Sequence, residues 1–522
     1  MSSSESRAIS SGRNALFGVL LKSYQIIMPF IMRTAMIYYL GVEYLGLNGL
    51  FVSVLQFLNL AELGVGSAMV YSMYKPIADK DNETICALLA LYRHYYRIIG
   101  FVVLVLGSIL APFLPVLIHG EIPSDLNLYA LYALYLGGTL ATYWLFAYKT
   151  SLLQAMQRID IVSKVSIGVN TVMYITQFIL IMLGNYYGYV VAYIASLILI
   201  NAISAFCAKK RYPLLKPQGR LSQEVRKDIG SRIKDLFTAK MGGVLLNSAP
   251  TIIVSAFFGL ATLAIYQNYF FIVQSVTSLV GVVFTACLAS IGNSIVVETK
   301  ETNYGHLRVF TLIMTWIIGF CSCCILCLTQ PFMEVWVGAD CMLSLIAVIA
   351  FSVYFFIFNM TVLLTTFKDA AGIWHQDRFR PLVTSVMSLI LCFILIRPFG
   401  VYGVIVATPI AQAAVALPWV LHNLFSYLFS RSMLRGYLKE FIFLSLVSII
   451  LCGLLYCICS FLTFTPVLTL FVRLLVCFFG FNLLFLLVVT RMPEFMSMLT
   501  IFNRITSGKL GVIDRMIRHL SR

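Results

Sequence analysis

Apolar runs of about twenty residues recur along the whole chain, and short polar segments separate them. A run of that length crosses a hydrocarbon core of about 30 Å as a helix, whereas the strands of a membrane barrel alternate over about ten residues. The pattern therefore predicts an all-α integral membrane protein with about fourteen spans. These spans are 15–40, 45–72, 96–118, 128–155, 165–184, 189–208, 237–258, 263–292, 308–329, 343–367, 382–397, 401–421, 441–461 and 467–490.

Composition and charge agree with a membrane protein. Hydrophobic residues make up 60% of the chain and charged residues only 11%, whereas soluble domains have about 25% charged residues. Lys and Arg concentrate in alternate loops, which by the positive-inside rule places both termini and the loop 209–236 in the cytoplasm. The net charge of +16 then reflects topology and contact with anionic lipid, and it gives no reason to expect nucleic acid as a partner.

The segment 209–236 is the longest interior connection, and it separates the first six spans from the rest. Its second part places apolar residues at helical spacing between basic ones, which predicts either an interfacial helix on the inner leaflet or a basic tether. A shift of 218 residues aligns Lys22 with Lys240 and Gly41 with Gly259, where a parallel six-plus-six repeat would place them.

The usual signatures of a metal site or an enzyme are weak. The chain has 13 cysteines, but the group CSCCILC at 321–327 lies inside a span, where cysteine behaves as a small hydrophobe. The sequence TSGKLG lacks the first glycine of a nucleotide-binding loop. The predicted outer loops are short, with scattered acids and no Lys or Arg. We therefore expect no metal, no cofactor and no enzymatic activity.

Apart from Arg97, Arg308 and Arg397 at the span ends, five cations and one acid, Glu62, lie within the predicted spans. Each charge costs about 2.5–3.5 kcal/mol at mid-membrane, so these side chains should face a partner or water. The excess of cations predicts a basic cavity and an anionic ligand. The cations are Lys22, Arg33, Lys149, Lys240 and Arg473.

The positions of these charges suggest which helices line the cavity. Lys22, Pro29 and Arg33 lie within about 20° of one helix face, and Pro29 can bend that helix during alternating access. Polar side chains also repeat at helical spacing ahead of Lys149 and after Lys240. The alternative for the three lysines is that they extend to the headgroups at the cytoplasmic ends of their spans, and we expect Arg473 to do so at an outer end.

One segment carries a family resemblance. The run 62–68 (ELGVGSA), the run 71–76 (YSMYKP), the acidic turn 79–83 and the Tyr- and Arg-rich start of a helix at 92–97 follow in order, and GLNGLF precedes them at 46–51. These motifs resemble the polysaccharide-repeat flippases of the Wzx type, in the multidrug/oligosaccharidyl-lipid/polysaccharide exporter superfamily. The specific motifs cover about fifty residues, whereas the length and the number of spans agree over nearly the whole chain.

The resemblance implies two six-helix lobes around a central cationic cavity, with two further helices after them. The parts would be an N-terminal lobe 1–208, a cytoplasmic linker 209–236, a C-terminal lobe 237–430, spans 13 and 14 at 431–490, and a basic cytoplasmic tail 491–522. It also implies a substrate, an undecaprenyl-diphosphate-linked oligosaccharide moved from the inner to the outer leaflet of the bacterial cytoplasmic membrane. Membrane lipids, a polysaccharide polymerase and assembly proteins would be partners.

The resemblance implies some of the site residues. The other candidates rest on the polar side chains that repeat at helical spacing along their spans. The first-helix arginine of the family matches Arg33, which would bind the diphosphate, whereas Lys22, Lys149 and Lys240 are substrate-binding candidates from their positions alone. Glu62 belongs to the motif and is either a protonatable coupling group or a brace between helices. The alternative functions are a drug or cation exporter of the same superfamily, which should have intramembrane acids, and a multispan polysaccharide polymerase or ligase, which should have large charged outer loops.

The predicted topology can be tested by labelling from outside intact cells. A single cysteine at Ser124, in an outer loop, should react with an impermeant thiol reagent, whereas one at Gln218, in the cytoplasmic linker, should be protected. Both are introduced into a background without the native cysteines, and permeabilised cells provide the control for reactivity. Labelling at position 218 and protection at position 124 would reverse the topology.

Overall fold

A computed structural model describes residues 22–120 and 122–505, without the side chains of Ala61, Asp235, Ala239 and residues 501–505. The start of the first predicted span and the tail beyond residue 505 lie outside this description. The chain divides by its internal contacts into two compact units, one ending at Gln267 and one beginning at Asn268. The predicted lobe boundaries at 208 and 237 stay a prediction.

Within the described ranges the regular elements are helices. The first unit contains α1 (22–39), α2 (Val42–Leu58), α3 (Val65–Ala78), α4 (Asn82–Leu110), α5 (Leu128–Trp144), α6 (Ala147–Ala155), α7 (Ile159–Met182), α8 (Tyr186–Arg211) and the first part of α9 (Gln223–Val297). The second unit contains the rest of α9, α10 (Lys300–Val337), α11 (Leu345–Ala370), α12 (Arg380–Phe399), α13 (Val401–Leu428), α14 (Arg431–Ser460), α15 (Pro466–Val489) and α16 (Pro493–Ile505).

The helices agree with the predicted spans and confirm an all-α membrane fold. By length and composition, ten helices of the described residues could cross a membrane, or eleven if α5 and α6, bent by 52°, count as one span. The second predicted span is broken between α2 and α3, where its polar residues cluster. The seventh and eighth predicted spans lie in the single helical element α9, which has one non-helical residue, Gly259 (φ 82°, ψ 178°).

Close helix contacts in the first unit depend on two glycines of the GLNGLF motif. A Cβ built on Gly46 of α2 would overlap the backbone carbonyl of Leu260, and one built on Gly49 would overlap the Gln267 side chain. Both partners belong to α9, just after its break at Gly259. Packing between membrane helices comes from such close approach of backbones, because lipid tails are as apolar as the helix surface. This part of the motif therefore positions α9 against α2.

The segment after α8 turns back onto the first unit. The Leu215 side chain is buried, and the carbonyl of Leu214 lies 3.8 Å from the Cys86 sulfur at the start of α4. Helix resumes at Gln223, and Ile229 is buried to 1% exposure whereas Val225 is exposed. The amphipathic stretch predicted from the sequence is thus the first part of α9, and its position on the inner leaflet stays a prediction.

In the second unit, a cluster of buried charges holds the last described helix. Arg308 of α10 donates from its Nε to the Glu440 carboxylate of α14 at 2.6 Å, and it forms a second ion pair with Glu494 of α16. Phe495 and Met498 of α16 are buried in the same apolar core as α10, α14 and α15. Helix α16 is therefore an integral part of the second unit.

The contact at Gly46 leads to a stability prediction. Gly46→Ala adds a methyl group that overlaps a backbone carbonyl, whereas Gly137→Ala, on α5, adds one with nothing within 4 Å. Overpacking of this kind costs about 1–3 kcal/mol. Thermal unfolding of the purified variants in detergent should give a lowered Tm for Gly46→Ala and an unchanged or slightly raised Tm for Gly137→Ala. Equal Tm values for the two variants would contradict the proposed helix contact.

Candidate substrate cavity

The break between α2 and α3 is the local feature from which the site is built. Residues Asn59–Glu62 form a turn of 3-10 helix, and Gly64 then adopts the left-handed conformation (φ 91°) before α3 begins at Val65. Glycine is required here for two reasons. A side chain disfavours that conformation, and a Cβ at this position would lie 2.8 Å from the Leu236 Cβ and 2.9 Å from the Ile233 carbonyl oxygen of α9.

A cavity of about 780 Å³ opens at this break, within the first unit. Helices α2, α3, α4, α6 and α9 all contribute side chains to it. Its polar lining consists of Gln56, Asn59, Glu62, Ser67, Tyr71, Tyr74, Tyr92, Tyr96, Ser151, Gln154 and Lys240. Four of these are tyrosines and three carry an amide, so the cavity offers many neutral hydrogen-bonding groups together with one acid and one cation.

Glu62 accepts hydrogen bonds from a chain of hydroxyl groups. Tyr96 of α4 donates to the Glu62 carboxylate, and Tyr92 donates to Tyr96 at 3.0 Å. Because the Tyr92 proton is used in that bond, the Ser151 hydroxyl, 2.9 Å away on α6, is the donor to Tyr92. Tyr143 of α5 donates to Asn59 at 2.8 Å, next to Glu62 in the same break. Glu62 and Asn59 together thus connect the break to three other helices.

Lys240 provides the positive side of the cavity. Its ammonium group donates to the Ser67 hydroxyl at 2.8 Å, which places the charge at the first turn of α3. Backbone N–H groups in the first turn of a helix have no partner within the helix, and the helix dipole adds about half a positive charge there. An ammonium has three donors, so Lys240 keeps donors for a ligand beyond the bond to Ser67.

A second cavity of about 300 Å³ adjoins the first, since Gln56 and Asn59 line both. Tyr135 and Thr142 of α5 line it, as does Tyr193 of α8. Tyr135 and Thr142 are the polar side chains that repeat at helical spacing ahead of Lys149 in the predicted fourth span, and the three residues form one polar stripe. The third member of that stripe, Lys149, lies beyond the bend between α5 and α6 and does not line either cavity.

The structure brings together only some of the predicted site residues. Glu62 and Lys240 line one cavity, whereas Lys22, Pro29, Arg33 and Lys149 are absent from the lining of the cavities described here. Lys22 is exposed at the start of described α1, and Pro29 is half-buried in that helix. Arg33 is half-buried, and Tyr189 of α8 is its electrostatic neighbour. Lys149 is half-buried, with Lys209 at the basic end of α8 as its neighbour.

The cavity also contains residues that the sequence analysis did not assign to a site. Ser67, Tyr71, Tyr92, Tyr96 and Ser151 all line it. Four of them lie in the motif runs between 62 and 97, from which only Glu62 was assigned a role. The polar residues of the irregular second span were the available signal. A broken span with Gly and polar residues is a frequent position for a binding site in transporters.

The fold is shared with solved membrane transporters. The lipid II flippase MurJ, in an inward closed conformation, matches with a TM-score of 0.66 at 15% identity, over 91% of this chain and 98% of its own. An inward-facing multidrug resistance MATE family transporter of the MOP superfamily matches with a TM-score of 0.59 at 14% identity, over 81% of this chain and 99% of its own.

A third match is a MOP superfamily transporter from Pyrococcus furiosus, whose binding pocket of reverse polarity suggests a different function for it. Its TM-score is 0.57 at 16% identity, over 82% of this chain and 96% of its own. No family model matches the chain, and no curated protein matches it. The three likenesses establish the fold, which is that of an all-α membrane transporter.

Two substitutions distinguish the two candidate roles of Glu62, which are bracing the helices and coupling transport to protons. Glu62→Leu removes the acceptor of Tyr96, and an unpaired buried hydroxyl costs about 1–3 kcal/mol, so Tm and abundance should fall. Glu62→Gln keeps an acceptor oxygen, and we expect it to retain most of the stability. If Glu62 couples transport to protons, Glu62→Gln should be stable but inactive in a transport assay. A Glu62→Leu protein of wild-type stability would show that the carboxylate does not brace the helices.

Proposed function

We propose that the chain is a flippase that moves undecaprenyl-diphosphate-linked oligosaccharides from the inner to the outer leaflet of the bacterial cytoplasmic membrane. Transport proceeds by alternating access, with both termini in the cytoplasm. A polysaccharide polymerase and assembly proteins receive the product on the outer side. The motifs at 46–51 and 62–97 and the transporter fold support this proposal together.

The observation that carries the proposal is the environment of Lys240. A lysine ammonium and the N-terminal turn of α3 meet at one side of a 780 Å³ cavity. Both favour an anion, and together they suit the phosphate oxygens of a lipid diphosphate. The neutral tyrosine, serine and amide groups on the other sides suit sugar hydroxyls. The volume is within the range of about 300–1,000 Å³ that is typical of small-molecule sites, so the headgroup enters while the prenyl chain stays in the bilayer.

The cations on the other helices have a secondary part in this proposal. Arg33 presents a planar fork of donors that matches phosphate oxygens in a bidentate way, and it contacts the diphosphate during a later stage of transport. Lys22 and Lys149 attract the headgroup from the cytoplasmic side, and Pro29 provides the bend in α1. The support for these roles is the shared face of Lys22, Pro29 and Arg33 and the intermediate burial of Arg33.

A drug or cation exporter is the second candidate, and the observation that favours it is the presence of Glu62 in the cavity. The Glu62 carboxylate, however, already accepts from Tyr96, whereas Lys240 is bonded only to a neutral hydroxyl among the contacts described. The likeness to MurJ also extends over 91% of the chain, compared with 81% for the MATE transporter. Because the acid of the cavity is bonded to Tyr96 and the ammonium of Lys240 keeps donors for a ligand, the polarity of the cavity favours an anionic substrate.

Transport by the purified protein in liposomes tests the proposal. An undecaprenyl-diphosphate oligosaccharide with a fluorescent label should become accessible to an impermeant quencher on the opposite leaflet. Lys240→Ala should lower the initial rate at least about tenfold, because loss of one charge-assisted hydrogen bond costs about 1.5–3 kcal/mol. Lys234→Ala is the matched control, since Lys234 is an exposed lysine of the same helix outside the cavity lining. Transport of an organic cation in place of the lipid would favour the exporter.

The same assay tests Arg33. Arg33→Ala should block flipping at a normal protein level, and Arg33→Lys should restore only part of it, because the charge remains but the bidentate geometry does not. If Arg33 only extended to the headgroups, Lys and Gln would both substitute freely. A near wild-type rate for Arg33→Ala would remove this residue from the proposal, without affecting the role of Lys240.

A further inference from the structure

A group of buried cysteines belongs to the second unit, whereas the cavity described above belongs to the first. Cys323 and Cys327 are four residues apart on α10 and therefore on one face of that helix. Cys477 of α15 faces them, and its sulfur lies 3.9 Å from that of Cys323. The three sulfurs all lie within 4.8 Å of one another. Two segments about 150 residues apart in the sequence thus bring three thiols to one point.

The spacing of the sulfurs fits a metal ion. Metal–thiolate bonds are about 2.3 Å long, so two sulfurs bound to one ion in trigonal geometry are about 4 Å apart. The local backbone is also unusual, because Cys477 begins a π-helical segment, Cys477–Phe481, within α15. Such bulges in α-helices are frequent at functional sites. Cys459 of α14 belongs to the same buried cluster.

Arg473 gives the cluster a positive neighbour. We expected this side chain to extend toward the outer headgroups, which stays a prediction. Its guanidinium donates from an Nη to the Cys327 carbonyl at 3.4 Å. Its Nε is buried and has no hydrogen-bond partner among the described residues. This guanidinium has an unused buried donor, is bonded to the backbone of Cys327 and lies one helical turn before Cys477, so it can balance one negative charge when thiolates form.

We propose that Cys323, Cys327 and Cys477 form a site for one monovalent copper ion. Thiolate sulfur is the ligand type that selects soft ions such as Cu(I). The surroundings are otherwise apolar, with Leu444 and Phe481 among them. Cys459 is a further buried thiol of this cluster but lies outside the group of three sulfurs that are all within 4.8 Å of one another, so this group supplies three ligands where a structural zinc site has four. On binding, two thiols release their protons to water and the third coordinates as a thiol, so two thiolates and Cu(I) carry one negative charge. Arg473 balances it. No oxidant or reductant takes part.

This site is independent of the proposed transport function. It is a direct link between α10 and α15, and filling it should stabilise the second unit, because a ligand that binds only the folded state raises its stability. Three thiols that merely pack as small hydrophobes would show no such response to copper. The stabilisation by Cu(I) is therefore the property that distinguishes a metal site from a packed core.

The test uses the full chain, purified in detergent and titrated without oxygen with Cu(I) kept reduced by ascorbate, against a chromophoric Cu(I) chelator. We expect one tightly held copper per chain and a raised Tm in the wild type, and neither in Cys323→Ser/Cys477→Ser. Cys287→Ser/Cys457→Ser is the matched control, because those two cysteines lie in the same unit outside the cluster. Arg473→Gln should weaken binding by about 10–100-fold, as loss of groups that support metal ligands does.

Absence of copper binding in the wild type, or equal binding by the two double variants, would overturn the site. Preferential retention of Zn(II) would overturn the assignment to a monovalent ion. If Cys323→Ser/Cys477→Ser fails to fold, X-ray absorption of the copper-loaded wild type decides between the outcomes. A shell of sulfur ligands alone supports the proposal, and a shell of nitrogen or oxygen ligands contradicts it.

Discussion

The break between Leu58 and Val65, inside the predicted second span, is the feature on which the first unit depends. A break within a membrane span is possible only where protein or water satisfies the freed backbone groups. Gly64 lets the chain turn there, and α9 comes close enough that no side chain would fit. The tyrosines of α4 and α5 supply hydroxyl donors to the polar side chains of the break. The cavity, the acid and the start of α3 are all consequences of this interruption.

The charges of the first unit are arranged by the same constraint. A buried charge is costly unless it has partners. Glu62 is half-buried and meets this requirement with the hydroxyl of Tyr96, whereas Lys240 is exposed at an open cavity and bonded to a serine hydroxyl. The acid is thus largely occupied by the protein, and the cation keeps donors for a ligand. This asymmetry is the physical reason to prefer an anionic lipid headgroup to a cationic drug, although solved proteins with this fold include both flippases and multidrug transporters.

Much of the fold was predictable, because a membrane helix is recognised in the sequence as a continuous apolar run, without knowledge of its contacts with distant residues. Lys240 and Glu62, two charged residues singled out from the sequence, line one cavity. The contacts between distant residues were not predictable: Tyr96 is 34 residues from Glu62, and Ser67 is 173 residues from Lys240. The cysteine cluster was not predictable for the same reason, since the run CSCCILC does not indicate that Cys477 lies close to Cys323 and Cys327. Helical faces identify which side chains point together, but not which helix they meet.

Binding of the lipid diphosphate itself tests the central claim most directly. Native mass spectrometry of the purified protein can compare undecaprenyl diphosphate with undecaprenol, which lacks the anionic group, and with a lipophilic organic cation. We predict that the wild type prefers the diphosphate at least about tenfold over the alcohol, equivalent to about 1.4 kcal/mol, and that Lys240→Ala loses this preference while Lys234→Ala keeps it. Equal binding of diphosphate and alcohol, together with binding of the organic cation that Glu62→Gln abolishes, would contradict the account.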